Sequence, residues 1–280
     1  MSAVALKRNG VACHKIKKFS GVEKQNISSQ GHVDNSPAPV VFLTFEENSG
    51  STTEDYSESG TDHDADVVGT WSTVYKAAGN CSITYGSTSQ WTENHDHADF
   101  DWPVGTSWTI SSYLATVSTS YVGVYVKRET AGAGYTGPAI FMNNGKLEIY
   151  LIDTWGSESC HLVPTGTSTD IKEAGVYHHV VVTYDGSSNG GSGGFTGYVD
   201  GVKHTVANGK LAVGSGGDDL DSNSDVVNNT DIHWGADTAT SGLQSGGTDQ
   251  SAAWKGVHIT DAQAAVLYNS GTPIDVRRGL

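Results

Sequence analysis

The chain has 280 residues, of which 31 are acidic and 16 basic, for a formal net charge of −15. That length suits one large all-β domain with appendages, and no apolar run approaches the roughly 18 residues of a membrane span. The 35 glycines point to many turns, and a hydrophobic content of 36% is enough for one two-layer core. Charge is divided unevenly. Residues 1–25 hold Lys7, Arg8, Lys15, Lys17, Lys18 and Lys24 against Glu23, about +5, which leaves about −20 for the rest. An acidic body argues against nucleic-acid binding there. The N-terminus shows no apolar stretch of a secretory signal. Cys13, Cys81 and Cys160 make no metal spacing and read as free thiols of a protein folded in a reducing cytoplasm.

Residues 1–36 lack periodicity and run into Pro37-Ala38-Pro39, a stiff linker. The expected organisation is an extended basic anchoring arm over 1–37 and one folded domain over 38–280. In the arm, Ile16 and Phe19 stand as apolar anchors among Lys7, Arg8, Lys15, Lys17 and Lys18. Residues 40–45 (VVFLTF) read as a first strand, and 46–66 as a long acidic loop. Trp108, Ile110 and Leu114 share one face of a further strand. Val122, Val124 and Val126 make a period-two strand. Residues 139–142 and 146–152 form a hairpin around Asn144-Gly145, with Leu147, Ile149 and Leu151 on the core face. Residues 176–184 alternate, so His178 faces inward and His179 outward. A Gly/Ser-rich loop, 186–194, leads to a second hairpin of 195–199 and 202–206. Its turn, Asp200-Gly201, supplies the positive φ that such turns need. One helix closes the chain. Thr260 and Gln263 form its capping box, Gly271 ends it and Pro273 prevents continuation.

Five segments in order carry a resemblance. They are Phe45-Glu46-Glu47-Asn48-Ser49-Gly50 with Asp55-Tyr56-Ser57, then 108–113 (WTISSY). Next come Tyr177-His178-His179-Val180 with Thr183-Tyr184-Asp185-Gly186 and Tyr198-Val199-Asp200-Gly201. Ile232-His233-Trp234-Gly235 and Leu267-Tyr268-Asn269-Ser270-Gly271 complete the set. The pattern resembles laminin-G-like, concanavalin-A-like lectin and glucanase jelly rolls over about residues 38–275. It implies a two-sheet antiparallel jelly-roll sandwich with one short C-terminal helix.

The glucanases of that fold carry E-x-D-x-x-E on one strand, and no such spacing occurs here. Ser-His-Asp, phosphate-loop and HExxH signatures are also missing, so the expectation is a protein that is not an enzyme. Residues 62–66 (DHDAD) and 95–101 (HDHADFD) are dense in hard oxygen ligands, as is Asp218-Asp219-Leu220-Asp221. Relatives bind calcium on such rims. The expected calcium ligands are Asp62, Asp64, Asp66, Asp96, Asp99 and Asp101, beside the reading of a solvated acidic loop. The His-Asp-His run offers a transition metal as a weaker alternative. For a glycan, Trp71, Trp91, Trp102, Trp155 and Tyr135 are the candidate aromatic platforms, although tryptophans also fill wide sandwich cores.

Bacteriophages use such domains as decoration, knob or tail proteins. The resemblance and the basic arm together imply a non-catalytic virion structural protein, assembled in the host cytoplasm. Its expected partners are the major capsid or other virion proteins through the arm, sister subunits in a symmetric array, and host surface glycans. A cell-surface carbohydrate-binding module or adhesin is the first rival, and a glycan hydrolase the second.

Overall fold

The computed structural model describes residues 37–74, 76–77, 79–86, 90–116, 121–129, 134–143, 145–154, 158–162, 176–187, 194–204, 220, 224–237 and 246–277. The anchor residues Lys7, Arg8, Lys15, Ile16, Lys17, Lys18 and Phe19 lie outside these, as do Trp155, Asp218, Asp219 and Asp221. The described strands, in chain order, are β1 (Val41–Leu43), β2 (Thr52–Thr53), β3 (Ala65–Val68), β4 (Thr70–Ser72), β5 (Ser82–Tyr85), β6 (Trp91–Asn94), β7 (Trp108–Thr116) and β8 (Tyr121–Val126). They continue with β9 (Gly137–Asn143), β10 (Lys146–Thr154), β11 (Glu158–Leu162), β12 (Tyr177–Tyr184), β13 (Phe195–Val199), β14 (Val202–His204), β15 (Ile232–Trp234) and β16 (Gly246–Lys255). One helix follows, α1 (Asp261–Tyr268).

The strands form two antiparallel sheets, as the alternation predicts. The first runs β14-β13-β12-β7-β16-β5-β4, with β1 pairing the far half of β16. The second runs β11-β10-β9-β8-β15-β6-β3-β2. Between them lies the main core, built from the inward positions of both. Trp108, Ile110, Leu114, Val180, Val182 and Tyr184 come from the first sheet; Leu147, Ile149, Leu151, Ile140 and Trp234 come from the second.

The outward face of the first sheet is also covered. Val181, Tyr198, Ala252 and Trp254 pack against Val257, Ile259, Ala264 and Leu267 of α1 and its approach. The helix starts where expected, with Thr260 and Gln263 in a reciprocal capping box. It stops earlier than expected. Asn269 takes the left-handed conformation at φ 42°, which Asn tolerates better than most residues, and Gly271 comes after it.

Three local features show why these residues fold this way. The Asp200-Gly201 turn has φ of 51° and 72°, the mirror-image turn that matches strand twist. Asp200 also clamps β12: its carboxylate accepts from the His179 amide at 2.9 Å and pairs with His178 Nδ1 at 2.6 Å. The His-His and Asp-Gly pieces of the family pattern are thus one structural staple. Asp55 does the same for β1, accepting from the Phe42 amide at 2.9 Å and the His63 amide at 3.1 Å. Finally, β8 departs from strict alternation. A bulge between Gly123 and Tyr125 turns Tyr125 inward and Val126 outward, against the expectation that Val122, Val124 and Val126 share a face.

Candidate functional site

Three chain segments meet at one end of the second sheet. Residues 62–64 lead into β3, residues 95–101 leave β6, and Asp231 precedes β15. Asn94 pairs in register with both Ala65 and Ile232, so the three segments converge on it. Asn94 is fully buried. Its Nδ2 donates to the His63 carbonyl, and its Oδ1 accepts from Trp234 Nε1 at 2.7 Å. Above it opens a recess of about 350 Å³ lined by Asp62, His63, Asp64, His95, Asp96 and His97.

Two histidines of that lining, His63 and His97, meet a carboxylate next to the recess. His63 Nε2 lies 3.0 Å from Asp99 Oδ2, and His97 Nδ1 lies 3.4 Å from the same oxygen. Phe100 packs on the His63 ring, with centroids 4.7 Å apart. Burial pushes the Asp99 carboxyl up, but hydrogen bonds from His63 and Thr61 and the nearby imidazoles outweigh it, leaving the group below the ordinary carboxylate value. Beside them Lys127, only 1% exposed, points its ammonium at Asp96 Oδ1 (2.8 Å), Asp101 Oδ1 (3.2 Å) and the Asn228 carbonyl (2.6 Å).

The outer face of the same sheet continues from this rim. Trp91 and Glu93 are two residues apart on β6 and share that face. The Trp91 indole is partly exposed and stacks near His233, centroids 6.1 Å apart, while His233 Nε2 pairs with Glu93 Oε2 at 2.6 Å. Val68, in register with Trp91, is 42% exposed. Glu93, His95 and Asp231 bring ligand atoms within 4.8 Å of one another. The result is an indole with an apolar neighbour, bordered by fixed carboxylates and imidazoles.

The six aspartates expected as calcium ligands are dispersed among different partners. Of the six aspartates only Asp99 joins a cluster of three close ligand atoms, and its companions are histidines. Asp96 and Asp101 are held by Lys127 instead. Asp64 accepts from the Asp55 amide at 2.7 Å, and Asp66 lies 3.6 Å from His95. Asp62 lies on the recess wall.

The expected aromatic platforms separate in the same way. Trp102 is buried against Tyr125 and Trp108, so it offers no face to a ligand. Trp71 packs on the inter-sheet core and donates to the Gly50 carbonyl. Tyr135 sits 4.9 Å beneath the Arg128 guanidinium. Trp91 alone of the described four stands beside the carboxylate–imidazole rim. Sequence reasoning missed Glu93, His233, Asp231 and Lys127. The Trp-x-Glu spacing of β6 is the signal that could have found Glu93; the others come from strands distant in sequence.

No family model matches this chain, and no curated protein does. Solved structures match its fold. The binding domain of Paraclostridial Mosquitocidal Protein 1 aligns with a TM-score of 0.60 and 13% identity, over 85% of this chain and 53% of that one. The binding domain of botulinum neurotoxin DC, in complex with rat synaptotagmin II, gives 0.54 and 12%, over 86% and 52%. A structure of botulinum neurotoxin type C, whose cell entry depends on interaction with two ganglioside molecules, gives 0.55 and 11%, over 85% and 52%. The chain spans about half the length of these structures, and at such identities the likeness is one of fold.

Proposed function

We propose that this chain is a non-catalytic recognition head, a sandwich that binds glycan on the outer face of its second sheet and is anchored to a larger particle by residues 1–36. The observation that carries the reading is Trp91. A partly exposed indole can take the apolar face of a sugar ring, and Glu93, fixed by His233, stands ready to accept from ring hydroxyls. The ganglioside dependence of a toxin with this fold supports the reading by analogy of fold only.

Catalysis has little support. Ser111 Oγ and His179 Nε2 have nucleophile–base spacing at 2.8 Å, but the pair is buried beside Leu267 of α1 and Pro273, Ile274 and Val276, and His179 Nδ1 has no hydrogen-bond partner to orient it. A glycan array should therefore show retention without turnover. Trp91→Ala should weaken the best hit at least about tenfold, since aromatic anchors dominate such contacts, with an unchanged circular dichroism spectrum. Undiminished binding by that variant, or product release from the glycan, would refute the proposal.

A virion knob or decoration protein is the setting we infer for the head. Its support is the charge polarity of about +5 against about −20, which steers the arm, not the head, toward a negatively charged scaffold. A truncation beginning at Pro37 should stay folded with a similar melting temperature, yet fail to join particles. Full incorporation of the truncated head would place the anchor on the sandwich. A surface adhesin would share the same binding face, and mass spectrometry of purified particles separates the two settings.

A further inference from the structure

We infer that His63, His97 and Asp99 form a binding site for a divalent transition ion of the zinc class, with its remaining position open to the recess. Three observations carry this. The first is the donor set. Calcium takes six to eight oxygens, whereas two imidazoles and one carboxylate suit zinc and its neighbours. The second is spacing. Ligand atoms about 2.0–2.2 Å from a tetrahedral ion stand about 3.3–3.6 Å apart. His97 Nδ1 to Asp99 Oδ2 is 3.4 Å and His63 Nε2 to the same oxygen is 3.0 Å, each within a few tenths of an ångström of that spacing, and all three ligand atoms lie within 4.8 Å of one another.

The third is the way the ligands are held. The Asp99 amide donates to His97 Nδ1 at 3.2 Å, a bond that an ion on that nitrogen would displace. Meanwhile His63, only 7% exposed, is held from behind: its amide donates to Asp55, and its carbonyl accepts from the buried Asn94. One ligand is thus fixed by the sheet and two by the segment leaving β6. An ion there would tie residues 62–64 to residues 97–99 and leave one position on the side of the recess.

The test uses the untagged full chain with Zn²⁺ or Ca²⁺ alone, by calorimetry and thermal unfolding after chelator treatment. Zn²⁺ should bind one per chain and raise the melting temperature, and Ca²⁺ should do neither. His97→Ala and Asp99→Asn should each lower Zn²⁺ affinity at least about tenfold, while the metal-free melting temperature stays near that of the parent. His97 is exposed, so its loss does not endanger folding. His95→Ala serves as the control and should bind Zn²⁺ as the parent does. Unchanged affinity in His97→Ala, loss of binding in His95→Ala alone, or preference for Ca²⁺ would each overturn the assignment.

Discussion

Unfolding free energy should fall by about 2 kcal/mol between about pH 7.5 and pH 5 through one residue, His179. Burial pushes this imidazole down to about 3, and the nearby Asp200 only partly opposes the shift. The unfolded side chain titrates near 6.5. Between those values the unfolded chain binds a proton that the folded one refuses. Stability from this group is therefore complete above about pH 6.5 and is lost progressively as pH falls toward 3. The full difference would approach about 4–5 kcal/mol, which pH 5 samples in part.

The local structure explains the burial. His179 is on the outward face of β12, with Tyr113 stacked on it at 4.5 Å and α1 closing over that face. Denaturant titrations of the parent and of His179→Leu at the two pH values isolate the effect. The variant leaves the Ser111 hydroxyl without its partner, at a cost of about 1 kcal/mol at either pH. That cost offsets both curves equally. The pH-dependent difference should shrink by about 2 kcal/mol, and equal slopes in the two proteins would show that His179 is not the group responsible. Asp200, also held below its ordinary value against the effect of burial, acts in the same direction only at lower pH.

The sandwich was legible because its cues are local and repeat. Alternation placed Leu147, Ile149 and Leu151 in the core, and Asp200-Gly201 and Thr260/Gln263 set a turn and a cap through bonds spanning a few residues. What was not legible depends on register between distant strands. Nothing near Trp91 in sequence says that His233 will lie beside it, or that Asp99 will meet His63 across two loops. A dense run of aspartates reads as a calcium loop in one dimension. In three, a buried lysine from another strand takes two of them. The outward assignment of His179 was sound as geometry, but it did not foresee that a C-terminal helix would make the outward face a second core. Val126 eluded the alternation because the bulge beside it was marked only by a single residue, Gly123 inside the strand.

The lysine in question should be among the most sensitive positions in the chain. Lys127 follows β8 directly, where its aliphatic stem takes up core volume. Lysines are almost never fully buried unless paired. Here the ammonium meets Asp96, Asp101 and the Asn228 carbonyl, while Asn228 Nδ2 donates back to the Lys127 carbonyl at 2.9 Å. Removing one partner of a buried ion pair costs more than the pair contributes, because the other charge is left stranded. The two carboxylates are 28% and 30% exposed, so water relieves part of that penalty. We expect Lys127→Met to lose about 2 kcal/mol and Lys127→Ala about 3 kcal/mol, the difference being the cavity left by the stem. For a domain of this size, 3 kcal/mol corresponds to a melting temperature lower by about 6–12 °C. Asp96→Asn should cost less, because Asp101 remains to balance the ammonium. The double variant Asp96→Asn/Lys127→Met should be more stable than the sum of its parts predicts, since it strands one carboxylate and not two. Strict additivity in that cycle, or Lys127→Met unfolding within about 0.5 kcal/mol of the parent, would mean that the ammonium is a passenger and that packing around Asn228 holds this corner together.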